Sequence, residues 1–106
     1  MNLLEEHKEA LKQACVDYQV DKLYAFGSIL TDKFSPSSDI DFIVSIASSD
    51  PLEYAENYFD LKFALENIFK RKIDLLEQKA IKNKVFQELV NQKKKLVYAR
   101  RTPSLA

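Results

Sequence analysis

Residues 26–44 read Phe26-Gly27-Ser28-Ile29-Leu30-Thr31-Asp32-Lys33-Phe34-Ser35-Pro36-Ser37-Ser38-Asp39-Ile40-Asp41-Phe42-Ile43-Val44. The apolar, aromatic run Leu23 to Phe26 stops at Gly27-Ser28, the pattern of a buried strand entering a turn. A short helix is expected from Ser28 to Phe34. The following Ser35-Pro36-Ser37-Ser38 is a loop by composition, because Ser and Pro favour turns and Pro cannot continue a helix. From Asp39 to Ser45 the period-two alternation of a strand sets Ile40, Phe42 and Val44 on one face and Asp39, Asp41 and Ile43 on the other. Two carboxylates therefore point the same way from an otherwise apolar strand.

Outward from this stretch, the other elements follow from periodicity. On the N-terminal side, Leu3, Leu4, His7, Leu11, Ala14, Cys15 and Tyr18 recur at helical spacing, with Asn2 and Glu5 as a capping pair. On the C-terminal side, Asp50-Pro51-Leu52-Glu53 combines a capping Asp, a first-turn Pro and a Glu three residues after the cap, which predicts a helix running to about Lys70. Its stripe of Tyr54, Tyr58, Leu61, Leu65 and Ile68 is widened by Ala55, Phe59, Phe63 and Phe69, so it is expected to make contacts on two sides. Lys72 to Leu76 reads as a strand, 79–92 as a helix through Ile81, Val85, Leu89 and Val90, and Leu96 to Ala99 as a final strand. Residues 102–106 read as a frayed tail. The strand-helix-strand unit over 39–76 implies two parallel strands. The chain is thus expected to form one α/β (α+β) domain over residues 1–106, a small mixed sheet of three to four strands covered by helices.

Composition narrows the function classes. The 106 residues are 46% apolar and 30% charged, a globular rather than disordered balance. A domain of this size buries somewhat over ~60% of its unfolded surface, enough for one core but not for a second lobe around a substrate. A deep pocket is then expected to need a partner chain. Sixteen basic residues balance sixteen acidic ones, which argues against a direct nucleic-acid interface driven by a global basic field. Cys15 has no second Cys for a disulfide, no apolar run is long enough for a membrane span, and the N-terminus lacks a basic leader, so a cytoplasmic location is expected. Gly27 is the single glycine, against an average usage of about 7%. Such scarcity suggests a position where no side chain is tolerated.

The chemistry concentrates in three aspartates on apolar strands, Asp39, Asp41 and Asp74. Each taken alone has an ordinary explanation: a turn cap, a solvated sheet edge, or a pair with Lys70, Arg71 or Lys72. Taken together they would repel one another unless a cation lay among them. Hard oxygen donors of this kind suit Mg²⁺, which is typically held by a few carboxylates together with substrate phosphates. Gly27 lets backbone approach a ligand closely, and Ser28 can donate to a phosphate oxygen.

Gly27-Ser28, then ten residues, then Asp39-x-Asp41 resembles the G-S-x(10)-D-x-D signature of the nucleotidyltransferase superfamily that includes DNA polymerase β, in particular its minimal nucleotidyltransferases, the MNT proteins. The likeness extends to the strand before Gly27, the Asp-Pro helix, the Lys72-Ile73-Asp74-Leu75 strand and the ending Lys95-Leu96-Val97-Tyr98. It implies the nucleotidyltransferase fold, with Gly27 and Ser28 holding the triphosphate of ATP or another NTP. Asp39, Asp41 and Asp74 would be the catalytic and metal-binding carboxylates for two Mg²⁺ ions. It further implies transfer of a nucleoside monophosphate, AMP from ATP, to a protein hydroxyl. The chain would act as antitoxin toward a small helical HEPN protein encoded nearby, with self-association left open. Many members of the family it resembles carry arginines one and three residues after the Gly-Ser pair and a further glycine, where this chain has Ile29, Thr31 and Asp32. Lys33 is the only cation between Gly27-Ser28 and the aspartates. Either it replaces the arginines as a nucleotide contact, or a partner's residue does, or the chain keeps the fold with weakened activity.

Other residues read as structural. His7 has no second His to share a ligand with, Cys15 lies on the same helix face as a small core residue, and Lys93-Lys94-Lys95 with Arg100 and Arg101 suits a solvated helix end. Two classes of function remain: an enzyme using the three aspartates, or a binding module that masks its partner by contact.

Overall fold

The structure is a computed structural model and describes residues 3–100. The Asn2 half of the expected capping pair and the tail 102–106 lie outside the described residues. Helices α1 (Leu3–Glu6) and α2 (Lys8–Asp17) lead into strand β1 (Val20–Phe26) and a four-residue 3₁₀ turn, Gly27–Leu30. Strand β2 (Ile40–Ile46), helix α3 (Pro51–Phe69) and strand β3 (Ile73–Glu77) form the central crossover. A second 3₁₀ turn, Gln78–Ala80, precedes helix α4 (Lys84–Lys93) and strand β4 (Lys95–Ala99). The sheet order is β3-β2-β1-β4, with β2 and β3 parallel and the other pairs antiparallel. This is the expected mixed sheet, with four strands.

Alternation along β2 divides the core as its sequence implies. Ile40, Phe42 and Val44 join Leu23, Ala25, Ile73 and Leu75 against Leu11, Cys15, Leu61 and Leu65 of the helices. Ile43, on the opposite face, packs with Ile81 and Val90 beneath Tyr24, Phe26 and Phe86. Burying each large aliphatic side chain contributes about 1.5–3 kcal/mol, so the side holding α2 and α3 carries most of the stabilisation. Cys15 is fully buried and its thiol is pushed up to about 12 by that burial, which makes it inert packing.

Helix α3 begins as expected: the Asp50 side chain accepts from Leu52 N–H at 3.1 Å, and Pro51 fills the first turn. It ends at Lys70 in a left-handed conformation, and the Tyr58 hydroxyl donates to the Leu75 carbonyl, tying the helix to β3. Only one of its two apolar sides is filled by the described residues. Leu52, Phe59 and Phe63 remain 70%, 54% and 58% exposed.

Three elements differ from their sequence pattern. The first helix is interrupted at His7 (φ −111°, ψ 21°), although His7 N–H still reaches Leu3 O at 3.3 Å and Leu11 N–H reaches His7 O at 2.9 Å. The departure is confined to the residue whose imidazole meets Phe69 edge to face, ring centroids 5.2 Å apart. The helix expected over 28–34 is only the Gly27–Leu30 turn, because Thr31 adopts extended backbone and caps it. The helix expected over 79–92 starts at Lys84, where the Asn83 side chain accepts from Phe86 N–H at 2.9 Å. Its expected stripe changes accordingly: Ile81 is buried from the segment before the helix, while Val85 faces solvent.

Candidate functional site

The site assembles at one end of the sheet from the start of β2, the start of β3 and the end of β1. Antiparallel pairing sets Phe26 opposite Asp41, and parallel pairing sets Asp41 opposite Asp74. Neighbouring residues at matched register point to the same side of a sheet, so the Asp41 and Asp74 carboxylates lie side by side. Asp39 immediately precedes β2 and is exposed, with its Oδ2 4.0 Å from Lys72 Nζ. The ordinary pairing considered for Asp74 is therefore taken by Asp39.

This arrangement raises the Asp41 carboxyl to about 6. Burial is the main cause, followed by a hydrogen bond with Asp74 and the charges of Asp74 and Asp39. The sign of the effect on stability follows: the fold resists ionising Asp41, so its contribution to stability falls as pH rises from the ordinary carboxylate range through 6. A divalent ion would reverse this penalty. Among the described residues, no three carboxylate, imidazole or thiol side chains stand close enough to cage an ion as they are. The donor chemistry nonetheless fits one: three hard carboxylates lie along one sheet end, and the half-buried one is held against ionisation by burial and by its neighbours.

Gly27 stands where β1 turns away from this group. Its φ of +83° lies in the left-handed region that disfavours side chains. A Cβ there would collide with Asp41 Oδ2 and approach Asp41 Cγ to 3.4 Å. A side chain there would have to push the Asp41 carboxylate aside. The sequence pattern suggests instead a phosphate in front.

Ser28 follows, half-buried, with its carbonyl accepting from both Thr31 N–H (2.9 Å) and Thr31 Oγ1–H (2.8 Å). Ile29 packs against the core, and Thr31 is engaged in capping the turn. Lys33 is exposed on the turn beyond. A cavity of about 520 Å³ opens beside Gly27, lined by Phe26, Gly27, Leu30 and Thr31 on one side and by Leu89, Gln92 and Lys93 of α4 on the other. Lys33 is not in that lining; Lys93 is. The periodicity of 84–93 could not reveal this, since only the packing of α4 under the sheet brings its last turn to the end of β1.

Arg71 is the other residue whose place the sequence does not disclose. Its side chain donates to the carbonyls of Ser35 and Ser38.

Comparison with known proteins agrees with this geometry. The family model described as "Polymerase beta, Nucleotidyltransferase" matches residues 9–102. A Methanocaldococcus jannaschii protein named "Putative protein adenylyltransferase MJ1379" is 33% identical over 81 residues, covering 76% of this chain and 77% of that protein. A second protein of the same name type from that organism, MJ1215, is 33% identical over 79 residues, covering 74% and 85%. Among solved structures, one described as a minimal nucleotidyltransferase is similar with TM-score 0.68 and 23% identity over 90% of this chain and 95% of that one. A toxin-antitoxin crystal structure with AMP-PNP gives TM-score 0.67 and 20% identity over 89% and 74%. A complex of tri-AMPylated Shewanella oneidensis HEPN toxin with MNT antitoxin gives 0.61 and 18% over 90% and 71%. With the strand order, the paired aspartates and the close-packed glycine already in place, the match over 9–102 settles the assignment: this chain belongs to the polymerase-β nucleotidyltransferase family.

Proposed function

We propose that the chain is an Mg²⁺-dependent protein adenylyltransferase that moves AMP from ATP onto a hydroxyl of a small helical HEPN-type partner, and thereby acts as that partner's antitoxin. The observation that carries this reading is the register that sets Asp41 beside Asp74 and against Gly27. The names of the similar proteins, protein adenylyltransferases and a toxin-antitoxin pair bearing AMP, support it. Asp39, Asp41 and Asp74 would hold two Mg²⁺ ions, which supply charge stabilisation at the attacking and leaving oxygens. Gly27, Ser28 and Lys33 contact the triphosphate, with Lys93 a further cation on the cavity beside Gly27. Asp74 takes the proton of the incoming hydroxyl as its oxygen bonds to the α-phosphorus and the bond to pyrophosphate breaks. The outward stripe of Leu52, Phe59 and Phe63 on α3 is where the helical partner docks, since the described residues leave it uncovered.

Replacing both Phe59 and Phe63 by Asp should weaken the complex with the partner by at least about tenfold, measured by titration calorimetry, while the melting temperature of the free chain stays within a few degrees. Unchanged affinity would exclude this face. Mn²⁺ affinity should fall as pH drops through about 6, where Asp41 keeps its proton, and level off above 7. Equal affinity from pH 5 to 7.5 would contradict the assignment of Asp41 as a ligand.

A binding module that masks its partner without chemistry is favoured by one observation: the two positions after Gly27-Ser28 where the resemblance implies phosphate-binding arginines hold Ile29, packed inward, and Thr31, spent on the Ser28 carbonyl. Incubation of the purified chain and partner with radiolabelled ATP and Mg²⁺ separates the two. Label on the partner that disappears with chelator supports transfer; tight association without label supports masking.

A further inference from the structure

Arg71, in the short connection between α3 and β3, makes a concentrated set of contacts with the loop that precedes Asp39. Its Nη1 donates to Ser35 O at 3.1 Å and to Ser38 O at 2.9 Å. The guanidinium lies over the Phe34 ring, 4.7 Å from its centroid. The loop already folds on itself, with Ser38 N–H on Ser35 O at 3.0 Å and Ser35 N–H on Ser38 Oγ at 3.1 Å. Both carbonyls therefore converge on one nitrogen.

The consequence falls on Asp39, which sits between two anchors. On its N-terminal side Ser38 O is held by Arg71, and on its C-terminal side Ile40 N–H donates to Lys72 O at 3.2 Å. Consecutive residues of the α3–β3 connection thus grip the backbone on either side of Asp39, and the same segment continues two residues later into Asp74. Asp39 lies outside the β2 ladder and has no strand partner to fix it. A lysine could reproduce only part of the grip, because its ammonium could bond the two carbonyls but lacks the planar guanidinium that stacks on Phe34.

We propose that Arg71 is a positioning residue for Asp39: by clamping the Ser35–Ser38 turn it presents the Asp39 carboxylate beside Asp41 and Asp74, and so sets the affinity of the carboxylate site for a divalent cation. This rests on the reading of the three aspartates as a cation site. Residues that orient metal ligands typically change metal affinity 10–100-fold when removed.

The test is a Mn²⁺ titration, read by electron paramagnetic resonance of the free ion, on the full chain and on Arg71→Ala and Arg71→Lys, with melting temperatures alongside. Arg71→Ala is expected to weaken Mn²⁺ binding by about tenfold or more, with Arg71→Lys intermediate. In transfer assays the metal concentration for half-maximal rate should rise by the same factor, while the rate at saturating Mn²⁺ stays within about threefold of the unsubstituted chain. Mn²⁺ affinity within about twofold of the unsubstituted chain in both variants, with lowered melting temperatures, would make Arg71 a loop staple only and overturn the proposal. Should Arg71→Ala fail to fold, Arg71→Lys alone decides on the same criterion. Failure of the unsubstituted chain to bind Mn²⁺ would instead remove the cation-site reading, and this proposal with it.

Discussion

Asp41→Asn should abolish nucleotidyl transfer, by at least about 10²–10³-fold, and at the same time leave the metal-free protein as stable as before or slightly more so. The two halves of this result come from one cause. Asp41 is the half-buried member of the three carboxylates, and burial together with Asp74 and Asp39 opposes its ionisation. An amide of the same shape removes the repulsion and can still donate to Asp74, so the fold loses nothing. The cation site, however, loses the ligand common to both sides of the group, since Asp41 pairs by register with Asp74 and stands two residues from Asp39. Asp39→Asn should be equally damaging to transfer. Its stability change should be near zero, because the Lys72 pair it breaks is exposed and long at 4.0 Å. Transfer of radiolabelled AMP and a thermal melt, each at neutral pH without and with Mg²⁺, check all of this. A destabilised Asp41→Asn that retained transfer would contradict both parts.

Gly27→Val is the second large effect. A β-branched residue at φ +83° costs roughly 1–3 kcal/mol in backbone strain. Its Cβ would also drive against Asp41 Oδ2. Total stabilities of about 5–15 kcal/mol leave room for the chain to remain folded, with a melting temperature lowered by several degrees. Catalysis has no such margin, since the displaced group is the central carboxylate. Transfer should fall by at least about 10²-fold, and Mn²⁺ binding should weaken together with nucleotide binding. If the glycine served only to admit a phosphate, Gly27→Val would lose nucleotide affinity and keep Mn²⁺ affinity. Titration of both ligands against the same variant distinguishes the two. Gly27→Ala, with less strain but the same collision, should show the same order of loss.

Much of this was legible in the amino-acid order. Alternation from Ile40 to Val44 assigns the two sheet faces, and the Asp50-Pro51 start defines α3 to within a residue, because each signal is local and strong. The convergence of Asp41 with Asp74 follows once 39–76 is read as a parallel crossover. What stays hidden depends on contacts between distant segments. The obstacle behind Gly27 is a carboxylate fourteen positions later, brought close by an antiparallel register that residue spacing does not specify. Lys93 reaches the cavity only through the docking of α4, and its neighbours in sequence suggest a solvated helix end instead. Arg71 reads as one more charge in a run of Lys70, Arg71 and Lys72, yet each goes elsewhere: Lys70 to a left-handed helix cap, Arg71 to two loop carbonyls, Lys72 to Asp39. The late start of α4 has a local origin. Asn83 caps better than the lysines before it, and an apolar period that includes Ile81 hides this.

Co-expression of this chain with the open reading frame beside its own, followed by intact-mass analysis of the partner, tests the transfer reading most directly. Partner bearing one or more additions of AMP mass is expected with the unsubstituted chain, and none with Asp41→Asn. A partner that co-purifies at its unmodified mass with both would contradict catalysis and leave a protein that acts by contact alone.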